Sequence, residues 1–326
     1  MPITIRPLTP FFGAEVTHVD LTRPLDDATF AEVENAFETY SILVFPKQKL
    51  TDETQIAFSS RFGSLETTQG HIANNFQVKQ ISEISNLDPQ GKLMKADDPR
   101  VVYRLGQRNW HSDSSFKKVP AKASLLHARI LPPNSNECGQ TQFASLRAAY
   151  DALPEDKKRF LDGKAAIHHY AYSRRNDGIT LTNEKEDQRF PPVKQAIIRA
   201  NPKNGRKALY VGSHASHIDG MPETEGRALL QELLTFATQE PWTYMHHWQV
   251  GDLVMYDNRA ALHRARPRGD GSRDALRGPG VHRWHLRRRP HGAGRRALSR
   301  GSGGACRVQR VTRGHHRGPI GVSRHG

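Results

Sequence analysis

Two short runs near the start, ITIRPL and GAEVTHVDL within residues 3–20, alternate apolar and polar positions. That spacing predicts a pair of short strands, because successive strand side chains point to opposite faces. Residues 26–40, DDATFAEVENAFETY, carry Phe30, Val33 and Phe37 at helical spacing, with Asp26 or Asp27 placed to cap the first turn. SILVFP, 41–46, is a continuous apolar run ended by Pro46 and reads as a buried strand. TDETQIAFSSRFG, 51–63, predicts a second helix with Thr51 as its cap and Gly63 as its stop. Residues 64–108 are polar and without period, a surface region able to fold over a site.

ASLLHARIL, 123–131, predicts a strand closed by Pro132 and Pro133. SLRAAYDALPEDKKRFLDG, 145–163, reads as a helix interrupted near Pro154, and ALYVGSHAS as a strand running into a turn. PETEGRALLQELLTFATQ, 222–239, has proline at its start, acids in its first turn and a Leu/Phe stripe, the signature of a helix. WTYMHHWQ, DLVMYDN and AALHRARP then follow at close spacing, with turn residues at 250–252 and 257–258. Short strands so arranged indicate an antiparallel sandwich or barrel. The expectation is a mostly β domain over residues 1–266 with flanking helices, followed by an irregular tail over 267–326.

Composition changes the picture at one end. The formal charge of +15 suggests a nucleic-acid partner until it is mapped. Residues 264–326 hold 17 Arg, no Lys and two acids, Asp270 and Asp274, whereas 1–263 balance 31 basic against 31 acidic residues. A neutral folded part argues against nucleic acid as the partner, since a binding face leaves excess charge on the domain itself. The tail also carries 13 of the 26 glycines and no Phe, Tyr or Met. It can be a disordered anion-binding arm, or a folded segment, which its few apolar residues count against. It can also be GC-rich DNA translated in a shifted register, since Arg, Gly, Ala and Pro all have GC-rich codons. The third accounts best for Arg without Lys.

Two cysteines, Cys138 and Cys306, support neither a disulfide framework nor a cysteine zinc site. The first residues lack the layout of a signal peptide, and no apolar run is long enough to span a bilayer. A cytoplasmic protein with no membrane partner is expected, and a homo-oligomer is compatible with these features.

The candidate chemistry begins at NWHSDSSF, 109–116. If this run is a strand, His111 and Asp113 share one face. His263, at the end of the last well-formed strand, supplies a third donor. Two histidines and a carboxylate on one side of an ion, with the other positions open, form the facial triad of non-haem Fe(II) oxygenases. His-x-Asp alone is weak evidence: the same residues also suit a hydrogen-bonded pair at a strand end and a structural histidine.

WHSDSSF and HHWQVGDLVMYDNRAALHRARP closely resemble motifs of the taurine dioxygenase-like Fe(II)/2-oxoglutarate oxygenases, and the likeness covers roughly residues 4–266. GSHASHIDGMP (212–222) and LRAAYDALP (146–154) bring it nearest to members acting on aryloxyalkanoates. The resemblance implies a double-stranded β-helix, or jelly roll, with Fe(II) held by His111, Asp113 and His263. It implies 2-oxoglutarate and O2 as co-substrates, with Thr141 helping to hold the former. The implied reaction hydroxylates a small carboxylate such as 2,4-dichlorophenoxyacetate, giving a phenol and glyoxylate beside succinate and CO2. A sulfonate of the taurine type is the rival substrate, and a damaged, inactive oxygenase is the third reading.

Carboxylate ligands call for cationic anchors, and arginine's planar fork suits them. Where the resemblance places the co-substrate arginine, this chain has Asp274, flanked by Arg273 and Arg277. An Asp codon followed by an Ala codon contains, one register back, CGC or TGC, hence Arg or Cys. A shift beginning between about 266 and 272 therefore restores arginine near the required place. Failing that, Arg273 is the substitute. Lys92 and Lys95 in the irregular region, and His214 in GSHASHIDG, are substrate-binding candidates. Each is matched by a plain alternative, a solvated lysine or a turn-stabilising histidine. Trp110 and Phe116 read as core packing, and His246 and His247 as structural.

Overall fold

The structure is a computed structural model that describes residues 2–67, 80–131 (apart from 86, 89 and 91), 139–176 and 188–266, and the backbone alone of 281–283 and 305–311. The first two strands, β1 Thr4–Pro7 and β2 Ala14–Thr17, pair antiparallel. Asp26 caps α1, Asp27–Tyr40, by accepting from Thr29 N at 2.7 Å. Ser41, in the left-handed region at φ 64°, ends that helix and turns the chain into β3, Ile42–Phe45. Thr51 and Thr54 form the reciprocal capping box that starts α2, Asp52–Ser60.

Among its described residues, the irregular region holds β4, Ser82–Glu83, then α3, Pro99–Tyr103, and a 3-10 turn over Arg104–Arg108. β5, Ala121–Ala128, is buried at every position, and β6, Thr141–Ser145, follows. The helix expected over 145–163 is two helices, α4 Leu146–Ala152 and α5 Glu155–Leu161, parted at Pro154. Then come β7 Ala165–His168, α6 Tyr170–Asn176, β8 Val193–Ala196, β9 Ile198–Ala200, β10 Lys207–Leu209 and β11 Ala215–Ile218. α7, Glu223–Ala237, is the long helix expected there. β12 Thr243–His246, β13 Leu253–Asp257 and β14 Ala261–Ala265 close the described domain.

One sheet runs β1-β2-β3-β13-β5, and a second has β6 between β12 and β14. Period-two alternation sorts their side chains. Ile42, Val44, Leu126, Val254 and Tyr256 from the first sheet meet Phe143 and Ala261 of the second in one core. Leu43, Phe45, Leu125 and Met255 turn the other way, onto Val33 and Phe37 of α1 and Phe58 of α2. The second sheet's outer face, with Ala144 and Leu262, packs on Leu230 and Leu233 of α7. Two facing sheets, antiparallel apart from the parallel β2–β3 pair and flanked by helices, are the expected jelly roll.

One local expectation is corrected. NWHSDSSF is not a strand: only His111 pairs, in an isolated antiparallel bridge with His263, and Ser114 at φ 58° bends the chain just after Asp113. Within the tail the structure describes the backbone of two strands, β15 Val281–Arg283 and β16 Ala305–Val311, the latter parallel to β5. β5's second edge offers unpaired backbone groups, and pairing there is indifferent to side-chain composition.

Candidate metal centre

β14 presents alternate residues to the two faces of its sheet. His263 pairs with Phe143 of β6 and projects into the core between the sheets, while Arg264 pairs with Gln142 on the outer face and donates to its Oε1. The backbone bridge sets His111 beside His263, with ring centroids 4.2 Å apart. The turn at Ser114 and a hydrogen bond from Asp113 N to Asn258 Oδ1 at 2.9 Å then bring the carboxylate round to the same side. Asp113 Oδ1 lies 3.7 Å from Nε2 of both His111 and His263, and all three side chains are buried.

These donors suit one ion. Octahedral neighbours at bond lengths of about 2.1 Å stand roughly 3 Å apart, so a small contraction around a cation closes the set. His111 Nδ1 lies 2.7 Å from Asn109 O. A carbonyl can only accept, so Nδ1 carries the proton and Nε2 keeps its lone pair for a metal. Burial pushes His263 down to about 3, so its imidazole is neutral at ordinary pH and competent as a ligand. The other carboxylate oxygen, Asp113 Oδ2, accepts from Ser124 Oγ at 2.7 Å and Tyr256 OH at 3.2 Å, and Ser124 Oγ accepts from Asn258 Nδ2 at 2.8 Å. Two histidines and one carboxylate oxygen converging inside a jelly roll are the donor set of the facial-triad class of mononuclear non-haem metal centres.

The chain belongs to the family described as taurine catabolism dioxygenase TauD, TfdA family, whose model matches residues 4–288. It is 42% identical over 282 residues to the alpha-ketoglutarate-dependent 2,4-dichlorophenoxyacetate dioxygenase of Cupriavidus pinatubonensis, covering 85% of this chain and 96% of that protein. It is 39% identical over 271 residues to the (S)-phenoxypropionate/alpha-ketoglutarate-dioxygenase of Sphingobium herbicidovorans, covering 81% and 89%. Among solved structures, AAD-2 in complex with Mn(II) and N-oxalylglycine superposes with a TM-score of 0.74 at 40% identity, covering 83% of this chain and 94% of that one. The protein is therefore a dioxygenase of this family, built for Fe(II) with 2-oxoglutarate and O2.

The remaining candidates are placed unevenly. Thr141 shares a sheet face with His263, two pairs further along β6 and β14, and its Oγ1 accepts from Trp248 Nε1 at 3.1 Å. His214 stands with its ring 6.3 Å from that of His111 and 4.8 Å from Phe116. Its Nδ1 is 2.8 Å from Ser173 Oγ, and burial pushes it down to about 3. Lys92 and Lys95 are exposed beside a turn that Asp88 closes. Arg273 lies outside the described residues. Trp110 packs in the core with Ala144 and Leu262, and Phe116 with Tyr170 and Phe190. His246 Nε2 sits 3.1 Å from Asp252 Oδ2, a structural contact near Trp248.

Sequence reasoning missed Ser124, Tyr256 and Asn258, the groups that hold Asp113. Two of them lie inside the GDLVMYDN motif, and their spacing of two was the available signal: from a strand into its turn it aims both at one place. Ser124 had a fainter signal, a hydroxyl in a strand that is buried at every position.

Proposed function

We propose that this protein is an Fe(II)- and 2-oxoglutarate-dependent oxygenase of aryloxyalkanoates such as 2,4-dichlorophenoxyacetate. The acid is hydroxylated at the carbon bearing the aryloxy group, and the hemiacetal collapses to a phenol and glyoxylate, with succinate and CO2 from the co-substrate. The carrying observation is the convergence of His111 Nε2, Asp113 Oδ1 and His263 Nε2 in a chain so close to phenoxy-acid dioxygenases. Bound there, the ferrous ion supplies the oxygen chemistry that no side chain can.

The chain's own residues supply ligation, orientation and exclusion of water. Thr141, held by Trp248, is read as a hydrogen-bond donor to 2-oxoglutarate, and Arg273 as the cation that pairs with its distal carboxylate. His214, neutral and beside His111, can donate one hydrogen bond to the acid. Lys92 and Lys95 are assigned as cations that meet its carboxylate when the 64–108 region covers the site. We read residues 1–266 as the catalytic domain, 267–326 as an aberrant tail, and the setting as cytoplasmic. Among the described residues, no helix is long and apolar enough to cross a membrane.

The test is succinate formation with Fe(II) and 2-oxoglutarate across 2,4-dichlorophenoxyacetate, both phenoxypropionate enantiomers and taurine. Succinate and a phenol that appear only with aryloxy acids support the reading. Coupling to taurine alone replaces it with the sulfonate reading.

A further inference from the structure

Tyr256 of β13 and Ser124 of β5 are direct cross-strand partners, so their side chains rise from the same face of the sheet. Both hydroxyls reach one atom. Ser124 Oγ lies 2.7 Å from Asp113 Oδ2 and Tyr256 OH 3.2 Å from it, each donating to an oxygen that has no proton of its own. The same phenol stands 3.3 Å from His263 Nε2. Tyr256 and Ser124 are completely buried, and the Tyr256 ring packs tilted against Phe143 with centroids 5.3 Å apart, which restrains it.

We infer that this tyrosine–serine pair is a positioning device that makes Asp113 a one-oxygen ligand: it engages Oδ2 and leaves Oδ1 turned toward the two Nε2 atoms, 3.7 Å from each. The inference rests on the metal site assigned above and deepens it. A carboxylate free to rock can chelate through both oxygens and close a position that 2-oxoglutarate or O2 needs. Two hydrogen bonds on Oδ2 oppose that rotation. The phenol also stands within reach of both candidate ligands and so bridges them. With a metal held on Nε2 of His263, Asp113 would be its remaining hydrogen-bond acceptor. Asn258 Nδ2 donates to Ser124 Oγ at 2.8 Å and so orients the serine's own proton toward the carboxylate.

The experiment titrates the purified full chain with Mn(II), followed by electron paramagnetic resonance, without co-substrate or acid. Tyr256→Phe and Ser124→Ala are each expected to weaken binding about 10-fold, and the double variant nearer 100-fold, the range for outer-shell partners of metal ligands. Tyr210→Phe, which removes a buried hydroxyl elsewhere, serves as the control and should leave affinity unchanged. Infrared difference spectra with 13C-labelled aspartate give an independent readout. The separation of carboxylate stretches should be wide in the parent, as for one-oxygen ligation, and narrower in the double variant. If Tyr256→Phe fails to fold, Ser124→Ala decides alone, because it deletes one atom without altering the ring packing. Affinity within threefold of the parent in folded variants, with an unchanged stretch separation, overturns the inference. Neither readout involves turnover, so a negative substrate panel leaves this result standing, and the reverse holds too.

Discussion

His111 and His263 exchange reciprocal backbone hydrogen bonds, 3.1 Å from His111 N to His263 O and 3.0 Å from His263 N to His111 O, in a bridge with no further pairing on either side. The two ligands are thus registered by main chain rather than by their imidazoles. Metal affinity and fold should therefore separate on mutation. His263→Ala is expected to weaken Mn(II) binding at least about 100-fold, or roughly 2.7 kcal/mol. The thermal midpoint of the metal-free chain should move by no more than about 4 °C. Calorimetric titration beside a melting curve checks both, and a collapse in the melt comparable to the loss in affinity would contradict the main-chain account.

Asp257, one residue before Asn258, anchors the turn from the opposite side. Burial pushes its carboxyl up, but Arg259 at 2.8 Å and Arg147 at 3.1 Å outweigh that and hold it below the ordinary carboxylate range. Arg147 is itself buried and also donates to Glu38 O. Arg147→Met leaves a buried carboxylate with one partner of two, at a cost of about 3 kcal/mol. Denaturant unfolding should show that loss, and Mn(II) affinity should fall with it, because the turn carrying Asn258 is what receives Asp113 N.

The three candidate ligands, which the structure brings together, were legible in the sequence because their chemistry is rare and the motifs around them are specific. The elements were legible where alternation or a cap was strong, as at Asp26, Thr51 and the Leu stripe of α7. The strand proposed for 109–116 was not correct, since a period of two also describes two side chains brought together by a bridge and a left-handed residue at Ser114. Ser124 escaped notice because a serine within a strand has no meaning until its partner across the sheet is known. Register is a long-range property: nothing local to ASLLHA says that Tyr256 lies opposite.

Gly226 faces β11 from inside α7. A Cβ there would stand 2.7 Å from Ile218 N, a backbone atom that cannot step aside without moving the strand. Gly226→Ala should therefore destabilise the protein by about 1–3 kcal/mol, although alanine is the better helix former. A gain in melting temperature would mean that helix and strand are not packed this closely.

Acid should unfold this protein early. Burial pushes His168, His214 and His263 down to about 3, so each binds its proton far more readily in the unfolded chain. Between the unfolded value near 6.5 and about 3, the unfolded state holds more protons, and stability falls as pH falls. Above about 6.5 these groups contribute no pH dependence. His168 is the cleanest reporter: it is none of the proposed ligands, stacks on Tyr210 at 5.4 Å, and neither ring nitrogen has a hydrogen-bond partner. His168→Phe should reduce the acid slope by up to about 1.4 kcal/mol per pH unit. An identical slope in the variant, from urea midpoints across pH 4–6, would assign the acid sensitivity to other groups.

The tail gives the most consequential prediction. All three proposed metal ligands lie at or before residue 263, whereas the arginine proposed for the co-substrate's distal carboxylate falls beyond 266, where the chain turns to Arg and Gly without Lys. If that stretch is a shifted register, metal binding and co-substrate binding should come apart. Mn(II) affinity of the chain as written should match that of a chimera in which a family-like ending replaces 267–326. Succinate formation should be low in the first and restored in the second, with the difference expressed mainly as a raised KM for 2-oxoglutarate, since a lost carboxylate anchor weakens ground-state binding. Resequencing the coding DNA between the codons for residues 266 and 272 checks the same idea independently, through an alternative register that is free of stops and strand-like in pattern. Equal turnover and equal KM in the two proteins would show that this tail, Arg273 included, already serves the co-substrate.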